Sequence, residues 1–366
     1  MIPLIDLKAQ YKTIEREIKE AIDDVLESQH FILGATVKKF EDEIAAICGV
    51  KHAIGVASGS DAILLSLTAL DIKNGDEVIT TPYTFFSTAG SVSRLGAKPV
   101  FADIDPQTYN INPSLIEEKI TKRTKAIIPV HLFGQCAEMD PILKIAKKYN
   151  IAVIEDAAQA IGARYKNKQA GAMGPLGCFS FFPTKNLGGY GDGGMVVTDD
   201  VKLAEKIRSL RVHGSNPKYY HAMVGVSSRL DSLQAAVLLV KLKYLNQWTE
   251  KRQKNAEYYT NLLKQVKVVA PFVFPENYHI FNQYVIRVPR RDELKKFLLE
   301  KGVETEIYYP LPLHLQECYK DLGYQKRDLP ESEKAAQETL ALPIYAELDK
   351  SRQKEIVGMI ESFLRE

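Results

Sequence analysis

Short apolar runs alternate with segments of helical periodicity through the middle of the chain, and this alternation restricts the possible fold more than any other feature. Six runs are expected to form strands: 78–80, 99–102, 126–130, 152–154, 179–182 and 195–197. Apolar residues recur at helical spacing between several of them, over 62–70, 87–95, 114–120 and 141–149. Strands that alternate with helices predict an α/β protein with a mostly parallel sheet covered on both faces. Such sheets bind ligands beyond the carboxyl ends of their strands.

Further helical patterns lie on either side of this region. Apolar residues at helical spacing cover 9–26, 37–47, 230–263, 291–301 and 351–364. Ser228 and Asp231 fit a capping box at the start of the longest stretch, in which a kink is expected near Trp248. One more strand is expected at 283–288.

Length and composition limit the class of protein. A chain of 366 residues exceeds an ordinary domain of ~100–200 residues, so we expect a large domain over 1–245 and a small α+β domain over 246–366. The net charge is only +2 and no basic stripe is found, which argues against a partner nucleic acid.

No apolar stretch reaches the ~20 residues of a membrane span, and the N-terminal residues do not resemble a signal peptide. We therefore expect a cytoplasmic protein. The four cysteines and seven histidines are too scattered to predict a disulfide framework or a metal site.

A glycine-rich segment at 189–194 matches the pattern G-x-G-x-x-G. In dinucleotide-binding proteins this pattern follows a strand and opens a helix. Here an expected strand, 195–197, comes after the glycines, so the context is reversed. We therefore interpret the segment as a tight, closely packed turn rather than a Rossmann site.

Three polar signals stand where such a sheet would bind a ligand. The motif Ser-Gly-Ser-Asp at 58–61 precedes a helical segment, and the free N–H groups of a helix N-terminus attract anions. Asp156 follows an apolar run. Lys185 follows another run in an aromatic loop rich in Pro and Gly, where desolvation would lower the pKa of its amine and make it a nucleophile. Taken alone, each signal is better explained as a helix cap, a loop acid or a solvated lysine.

Together the three signals fit one cofactor, pyridoxal 5′-phosphate (PLP). PLP needs a lysine for its Schiff base, a carboxylate that keeps the ring nitrogen protonated, and a cradle for its phosphate. The chain presents the cradle, the acid and the lysine in that order. We therefore predict a PLP-dependent enzyme.

Longer motifs around these residues make the interpretation more specific. The chain resembles the DegT/DnrJ/EryC1/StrS family of nucleotide-sugar aminotransferases, from Ile5 nearly to the C-terminus. The matching motifs occur in order at 58–62 (SGSDA), 82–88 (PYTFFST), 153–159 (VIEDAAQ), 180–187 (SFFPTKNL), 191–194 (GDGG) and 228–231 (SRLD). The resemblance implies the PLP fold-type I, or aspartate aminotransferase-like, architecture.

The resemblance also implies a role for individual residues. Seven of them would bind the cofactor: Lys185 as the Schiff-base lysine, Asp156 at the pyridine nitrogen, Gln159 beside the ring and its phenolic oxygen, Phe85 stacked on the ring face, and Gly59, Ser60 and Ser180 around the phosphate. In this family the active site lies at a homodimer interface. The loop of Ser227, Ser228 and Arg229 would therefore come from the other subunit.

Two positions depart from the family pattern. Ser227, a shorter donor, stands where the family usually has an asparagine that contacts the phosphate across the dimer. Tyr308-Tyr309-Pro310 replaces the His-Tyr-Pro of many relatives at a position that resembles a sugar-binding one. Arg229, Tyr308 and Tyr309 are therefore the expected substrate-binding residues.

By resemblance, the expected reaction moves an amino group from L-glutamate to a keto nucleotide sugar. The segment 211–225 is most similar to the branch that aminates C3 ketones of UDP- or dTDP-linked hexoses. C4 amination remains the alternative within the class. Retention of Lys185 favours amino transfer, because relatives with histidine there are dehydratases. A non-enzymatic regulator is the alternative from another class, although no helix-turn-helix or sensor extension is found.

Overall fold

The structure, a computed structural model, describes residues 1–365 as helices packed around one large sheet and two small ones. The helices are α1 (Leu7–Ser28), α2 (Ala35–Cys48), α3 (Gly59–Ala69), α4 (Ser87–Arg94), α5 (Met139–Tyr149), α6 (Val201–Leu210), α7 (Ser232–Leu242), α8 (Leu245–Leu263), α9 (Arg291–Glu300), α10 (Pro330–Glu338) and α11 (Lys350–Arg365). The strands are β1 (His52–Val56), β2 (Glu77–Thr80), β3 (Lys98–Phe101), β4 (Thr124–Ile128), β5 (Ala152–Asp156), β6 (Arg164–Tyr165), β7 (Lys168–Gln169), β8 (Leu176–Ser180), β9 (Gly194–Thr198), β10 (Asn277–Tyr278), β11 (Tyr284–Arg287) and β12 (Thr339–Leu342). Short 3₁₀ turns occur at Pro113–Leu115, Glu117–Lys119, Leu132–Gly134, Leu313–Leu315 and Glu317–Leu322.

The large sheet has seven strands in the order β1-β9-β8-β5-β4-β2-β3. Strands β3, β2, β4, β5 and β8 run parallel to one another, whereas β9 runs antiparallel to both of its neighbours. The prediction of a mostly parallel α/β sheet is therefore confirmed. The glycine-rich segment 189–194 forms the last part of the loop between β8 and β9 and leads into β9. It is closely packed, since a Cβ on Gly194 would lie 2.3 Å from the backbone carbonyl of Ser58.

Both faces of this sheet are buried under helices. Side chains alternate across a strand, so Val153 of β5 joins one hydrophobic cluster and Ile154 joins the other. Helices α2, α5 and α7 supply the first cluster, and α3, α4 and α6 supply the second. This arrangement leaves the edge at the strands' carboxyl ends for polar residues.

A second group of elements, which we call the C-terminal unit, consists of α8, α9, α11, β11 and β12 around their own hydrophobic cluster. The beginning of the chain also belongs to it, because Ile2 is buried in this cluster and forms a bridge with Val303. Arg252 of α8 donates hydrogen bonds to the carbonyls of Phe281 and Ile344 at 3.1 and 2.9 Å. The predicted division into 1–245 and 246–366 stays a prediction.

Three local predictions differ from the structure. Asp231 rather than Ser228 occupies the N-cap of α7, and the Ser228 hydroxyl instead accepts a hydrogen bond from the Ala57 N–H. The expected long helix is broken at 243–244, before Trp248, which stacks on Tyr244. The segment 114–120 forms two 3₁₀ turns instead of an α-helix. A helix of seven residues would form few hydrogen bonds to offset the unfavourable free energy of its first turn. Within residues 1–365, no helix is long and apolar enough to cross a membrane.

Candidate active site

Three parts of the large sheet bring the predicted polar residues to one edge. Asp156 ends β5 and Ser180 ends β8, and these parallel strands are neighbours. Strand β1, whose chain continues into α3, runs parallel to β8 because β9 reverses between them. The N-terminus of α3 therefore lies at the same edge, and the predicted Ser-Gly-Ser-Asp helix start is confirmed.

The start of α3 forms an anion site with Ser180. Ser58 is the N-cap, and its side chain accepts the N–H of Asp61 at 3.1 Å. The N–H groups of Gly59 and Ser60 have no acceptor within the helix. A Cβ on Gly59 would lie 2.7 Å from Cβ of Ser180, so glycine is needed for this close approach. Unpaired N–H groups, two hydroxyls and a helix N-terminus suit a phosphate.

Asp156 is a buried carboxylate held by two hydrogen bonds. The Thr88 hydroxyl donates to Oδ2 at 2.7 Å, and the Ala158 N–H donates to Oδ1 at 3.2 Å. Burial raises the pKa of Asp156 above its ordinary value, while the bond from Thr88, the Ala158 N–H and the positive charge of Lys185 act in the opposite direction. The carboxylate is thus positioned to accept one further donor.

The preceding acid, Glu155, points to the other face of the strand and serves the fold. Its carboxylate accepts the N–H groups of Gly171 and Met173, both at 2.7 Å, and lies 2.8 Å from Nε2 of His131. Nδ1 of His131 accepts the Ala137 N–H, so Nε2 carries the proton and donates to Glu155. Of the two acids that end this strand, only Asp156 is available to a ligand.

Lys185 lies in a turn after β8, where its N–H donates to the carbonyl of Phe182 at 2.9 Å. The residue as a whole is only partly buried, yet its amine is enclosed by protein. Desolvation lowers the pKa of Lys185 to about 8, and the charge of Asp156 opposes this shift. A larger share of the amine is therefore neutral near pH 7 than in an ordinary lysine, as a nucleophile requires.

Neighbouring residues fix the loop that carries Lys185, and the sequence analysis did not identify them. The side-chain amide of Asn186 donates to the carbonyl of Ile280 and accepts from Asn282 at 2.8 Å. Lys241 of α7, almost fully buried, donates to the carbonyl of Gly188 at 2.7 Å. These contacts link residues 53 to 96 positions apart, so no local pattern indicates them.

Gln159, Tyr309 and Phe85 line the same region. The side-chain oxygen of Gln159 accepts the N–H of Phe133 at 2.8 Å, and its amide nitrogen donates to the Tyr309 hydroxyl at 3.2 Å. The rings of Phe85 and Tyr309 are 6.3 Å apart between centroids, and Phe85 is 56% exposed. Tyr308 contributes its carbonyl, which accepts the Tyr83 hydroxyl at 2.5 Å.

Ser227 and Arg229 contact each other instead of this cluster. Nη2 of Arg229 donates to the Ser227 hydroxyl at 2.7 Å, and Ser227 is exposed. Within residues 1–365, neither side chain forms a hydrogen bond or an ion pair with Lys185 or Asp156. Their predicted role in the partner's site therefore stays a prediction.

The residues present at this edge fit PLP. The start of α3 and Ser180 supply phosphate ligands, Asp156 is a buried acceptor for a ring N–H, and Lys185 offers a nucleophilic amine. Within residues 1–365, no group of three or more His, Cys, Asp or Glu side chains could hold a metal ion.

Comparison with known proteins agrees with this chemistry. The model of the DegT/DnrJ/EryC1/StrS aminotransferase family matches residues 12–361. The chain belongs to this family. It is 54% identical to a protein of Geobacillus stearothermophilus named "Pleiotropic regulatory protein", with 100% of this chain and 99% of that protein covered. It is 46% identical to the UDP-2-acetamido-2-deoxy-3-oxo-D-glucuronate aminotransferase of Pseudomonas aeruginosa, with coverage of 98% and 99%.

Two further similarities point the same way. The dTDP-3-amino-3,6-dideoxy-alpha-D-galactopyranose transaminase of Aneurinibacillus thermoaerophilus is 43% identical, with 99% of both chains covered. The crystal structure of S. venezuelae DesV in complex with a ketimine intermediate has a TM-score of 0.97 and 39% identity, and covers 100% of this chain and 99% of DesV. The protein is thus a PLP-dependent aminotransferase with the fold of this family, as the sequence analysis predicted.

Proposed function

We propose that this protein transfers the amino group of L-glutamate to the C3 ketone of a UDP- or dTDP-linked hexose. One observation supports the proposal above all others. The enclosed amine of Lys185 lies near the buried carboxylate of Asp156, at the edge of the sheet that also has the phosphate cradle. Overall, glutamate becomes 2-oxoglutarate and the keto sugar becomes an amino sugar, so atoms and electrons balance without a further reagent.

The residues of this chain would divide the work. Bound PLP supplies an electron sink that stabilises negative charge on the reacting carbon. Asp156 would accept the ring N–H, and the N–H groups of Gly59 and Ser60 with the Ser180 hydroxyl would hold the phosphate. Nζ of Lys185, with its pKa lowered to about 8, would first anchor the cofactor and then move a proton at the reacting carbon.

Substrate selection would fall to residues around the mouth of the site. Tyr309 lies against both Gln159 and Phe85, so a sugar beside the PLP ring would meet its hydroxyl. The names of the Pseudomonas and Aneurinibacillus relatives place their chemistry at C3 of a nucleotide-linked sugar, which supports C3 over C4 amination here. Tyr308 in place of histidine then becomes the position at which the hexose is distinguished.

A homodimer would complete the site. Phe85 and Phe182, near the candidate site in the chain, are 56% and 50% exposed, and Tyr219 and Val224 of the segment 213–226 are 79% and 95% exposed; exposed apolar side chains of this kind suit an interface. Ser227 and Arg229 follow this segment in the chain and contact each other. In the dimer, Ser227 would reach the partner's phosphate and Arg229 the partner's substrate.

A regulatory role remains the second candidate because the Geobacillus relative carries that name. The complete set of Lys185, Asp156 and the phosphate cradle favours the enzyme, since a DNA-binding regulator has no use for an enclosed nucleophilic amine. Visible absorbance of bound PLP with glutamate-dependent turnover would support the enzyme. DNA retention without bound PLP would support the regulator.

Borohydride trapping followed by peptide mapping tests the assignment of Lys185. Reduction should fix a pyridoxyl group on Lys185, and Lys185→Ala should lose both the adduct and the turnover. Lys241 is a matched control, because desolvation lowers its pKa to about 8 as well, but its amine is occupied by Gly188. A pyridoxyl group on Lys241 would mean that the site has been misplaced.

The substrate is tested with a panel. The purified protein is incubated with L-glutamate and UDP- or dTDP-linked 3-keto and 4-keto sugars, and the products are identified by mass spectrometry and NMR. We expect amination of a 3-keto sugar. Exclusive amination of 4-keto sugars would refute the C3 assignment.

A further inference from the structure

We propose that Thr88 is a positioning residue that orients the Asp156 carboxylate and holds it in its ionised form, acting together with Thr84. The inference rests on the proposed function, in which Asp156 faces the PLP ring nitrogen. Thr88 lies in α4 with no exposed surface, and its hydroxyl is 2.7 Å from Oδ2 of Asp156. This separation is typical of a hydroxyl that donates to a charged oxygen.

The direction of the protons follows from the donor inventory. An ionised carboxylate only accepts hydrogen bonds, so the single proton of the Thr88 hydroxyl points at Asp156. The hydroxyl of Thr84 lies 3.1 Å from that of Thr88, and it must be the donor in this contact because Thr88 has no second proton. Thr84, Thr88 and Asp156 thus form a chain in which every bond is polarised toward the carboxylate.

The chain of hydroxyls meets a specific need of this site. Asp156 is fully enclosed, and burial favours its neutral form. The bond from Thr88 is the strongest influence in the opposite direction, followed by the Ala158 N–H. Without Thr88, a proton shared between Asp156 and a ring nitrogen would move toward Asp156, and the ring would become a weaker electron sink.

The geometry also fixes how the carboxylate is oriented. Oδ2 is held by Thr88 and Oδ1 by Ala158, so the plane of the carboxylate is defined from two sides. The Glu155 carboxylate and the His131 imidazole are occupied by each other and by backbone N–H groups, so they form no hydrogen bond with the Asp156 carboxylate, although His131 also acts to lower the pKa of Asp156. Within residues 1–365, Thr88 is the side chain that donates a hydrogen bond to this carboxylate, and it favours the ionised form together with the Ala158 N–H and the charge of Lys185.

The test uses three threonine variants. Thr88→Val removes the hydroxyl while keeping a similar shape, and Thr88→Ser keeps the hydroxyl. Thr80→Val is the matched control, because Thr80 is equally buried at the end of β2 but donates to the carbonyl of Ile128 at 2.9 Å. Because Thr88→Val removes a hydrogen bond to a charged group, we expect it to lower kcat about 10- to 100-fold with little change in KM. Thr88→Ser should recover most of this loss, and Thr80→Val should leave kcat unchanged.

A binding measurement separates positioning from a structural role. The dissociation constants of PLP and of its 1-deaza analogue, in which CH replaces the ring nitrogen, are measured for each variant. Thr88→Val should weaken PLP binding about tenfold but leave binding of the analogue unchanged, because the analogue has no ring N–H for Asp156. Equal weakening for both compounds would overturn the inference. Asp156→Asn serves as the reference. If this variant weakens the binding of both compounds equally, the assignment of Asp156 itself is wrong. If Asp156→Asn weakens PLP binding selectively but Thr88→Val does not, only the role of Thr88 is refuted.

Discussion

The lowered pKa of Lys185 gives the most quantitative prediction. An ordinary lysine titrates near ~10.4 and is about 0.04% neutral at pH 7. Desolvation lowers the pKa of Lys185 to about 8, so about 10% of its amine is neutral at the same pH. At pH 7 the neutral form of this amine in the PLP-free protein should therefore be a few hundred times more abundant than that of a solvated lysine, and Lys185 should react faster with an electrophile, although by a smaller factor because a less basic amine is a weaker nucleophile.

Trace acetylation across pH 6 to pH 11 measures this directly. The protein without PLP is labelled at each pH together with a lysine peptide as internal standard, and each lysine is followed by mass spectrometry. Labelling of Lys185 should reach half of its plateau near pH 8, well before the standard. Asp156→Asn should move this midpoint further down, because the carboxylate charge raises the pKa of Lys185. A Lys185 midpoint equal to that of the standard would show that the amine is solvated and that desolvation does not activate it.

Two further predictions concern assembly and packing. If Arg229 completes the partner's site, co-expression of the inactive Lys185→Ala and Arg229→Ala chains should restore about a quarter of the wild-type activity. The reason is that half of the dimers are mixed and each mixed dimer has one intact site out of two. If mixed dimers isolated with two tags show no activity, the active site is not shared in this way. Gly194→Ala places a Cβ 2.3 Å from the backbone of Ser58, so it should lower the free energy of unfolding by about 2–4 kcal/mol, measured by urea denaturation. Gly358→Ala in α11 meets no atom within 4 Å and should instead stabilise by about 0.5–1 kcal/mol; equal effects of the two substitutions would contradict the packing argument.

The sequence predicted the elements that carry long or regular apolar patterns. It missed β1 (His52–Val56), where a histidine and a glycine interrupt a five-residue run. It joined α7 and α8 because their apolar residues continue across the break at 243–244. Local periodicity cannot report such a break, since the interruption is set by packing and not by a proline or glycine.

The sequence predicted the residues expected to contact the cofactor, but not the neighbouring residues that hold them in position. Lys185, Asp156 and the start of α3 each lie at the end of a strand or helix, where sheet topology alone brings them together. The contact of Thr88 with Asp156 joins residues 68 positions apart, and only the three-dimensional structure reveals it. Which of Glu155 and Asp156 can contact a ligand likewise depends on which face of β5 is packed against the rest of the protein. Two adjacent acids in the sequence do not reveal this.

The position of Ile2 in the C-terminal unit has a mechanical consequence. Helix α1 is packed on α7 through Ile14, Ile18 and Val237, whereas Ile2, a few residues earlier, is buried in the core of the C-terminal unit. The residues before α1 therefore connect that unit covalently to the helices on the sheet. A truncation of these residues would leave Val303 without its bridge partner and would remove this connection, while the one between α7 and α8 would remain.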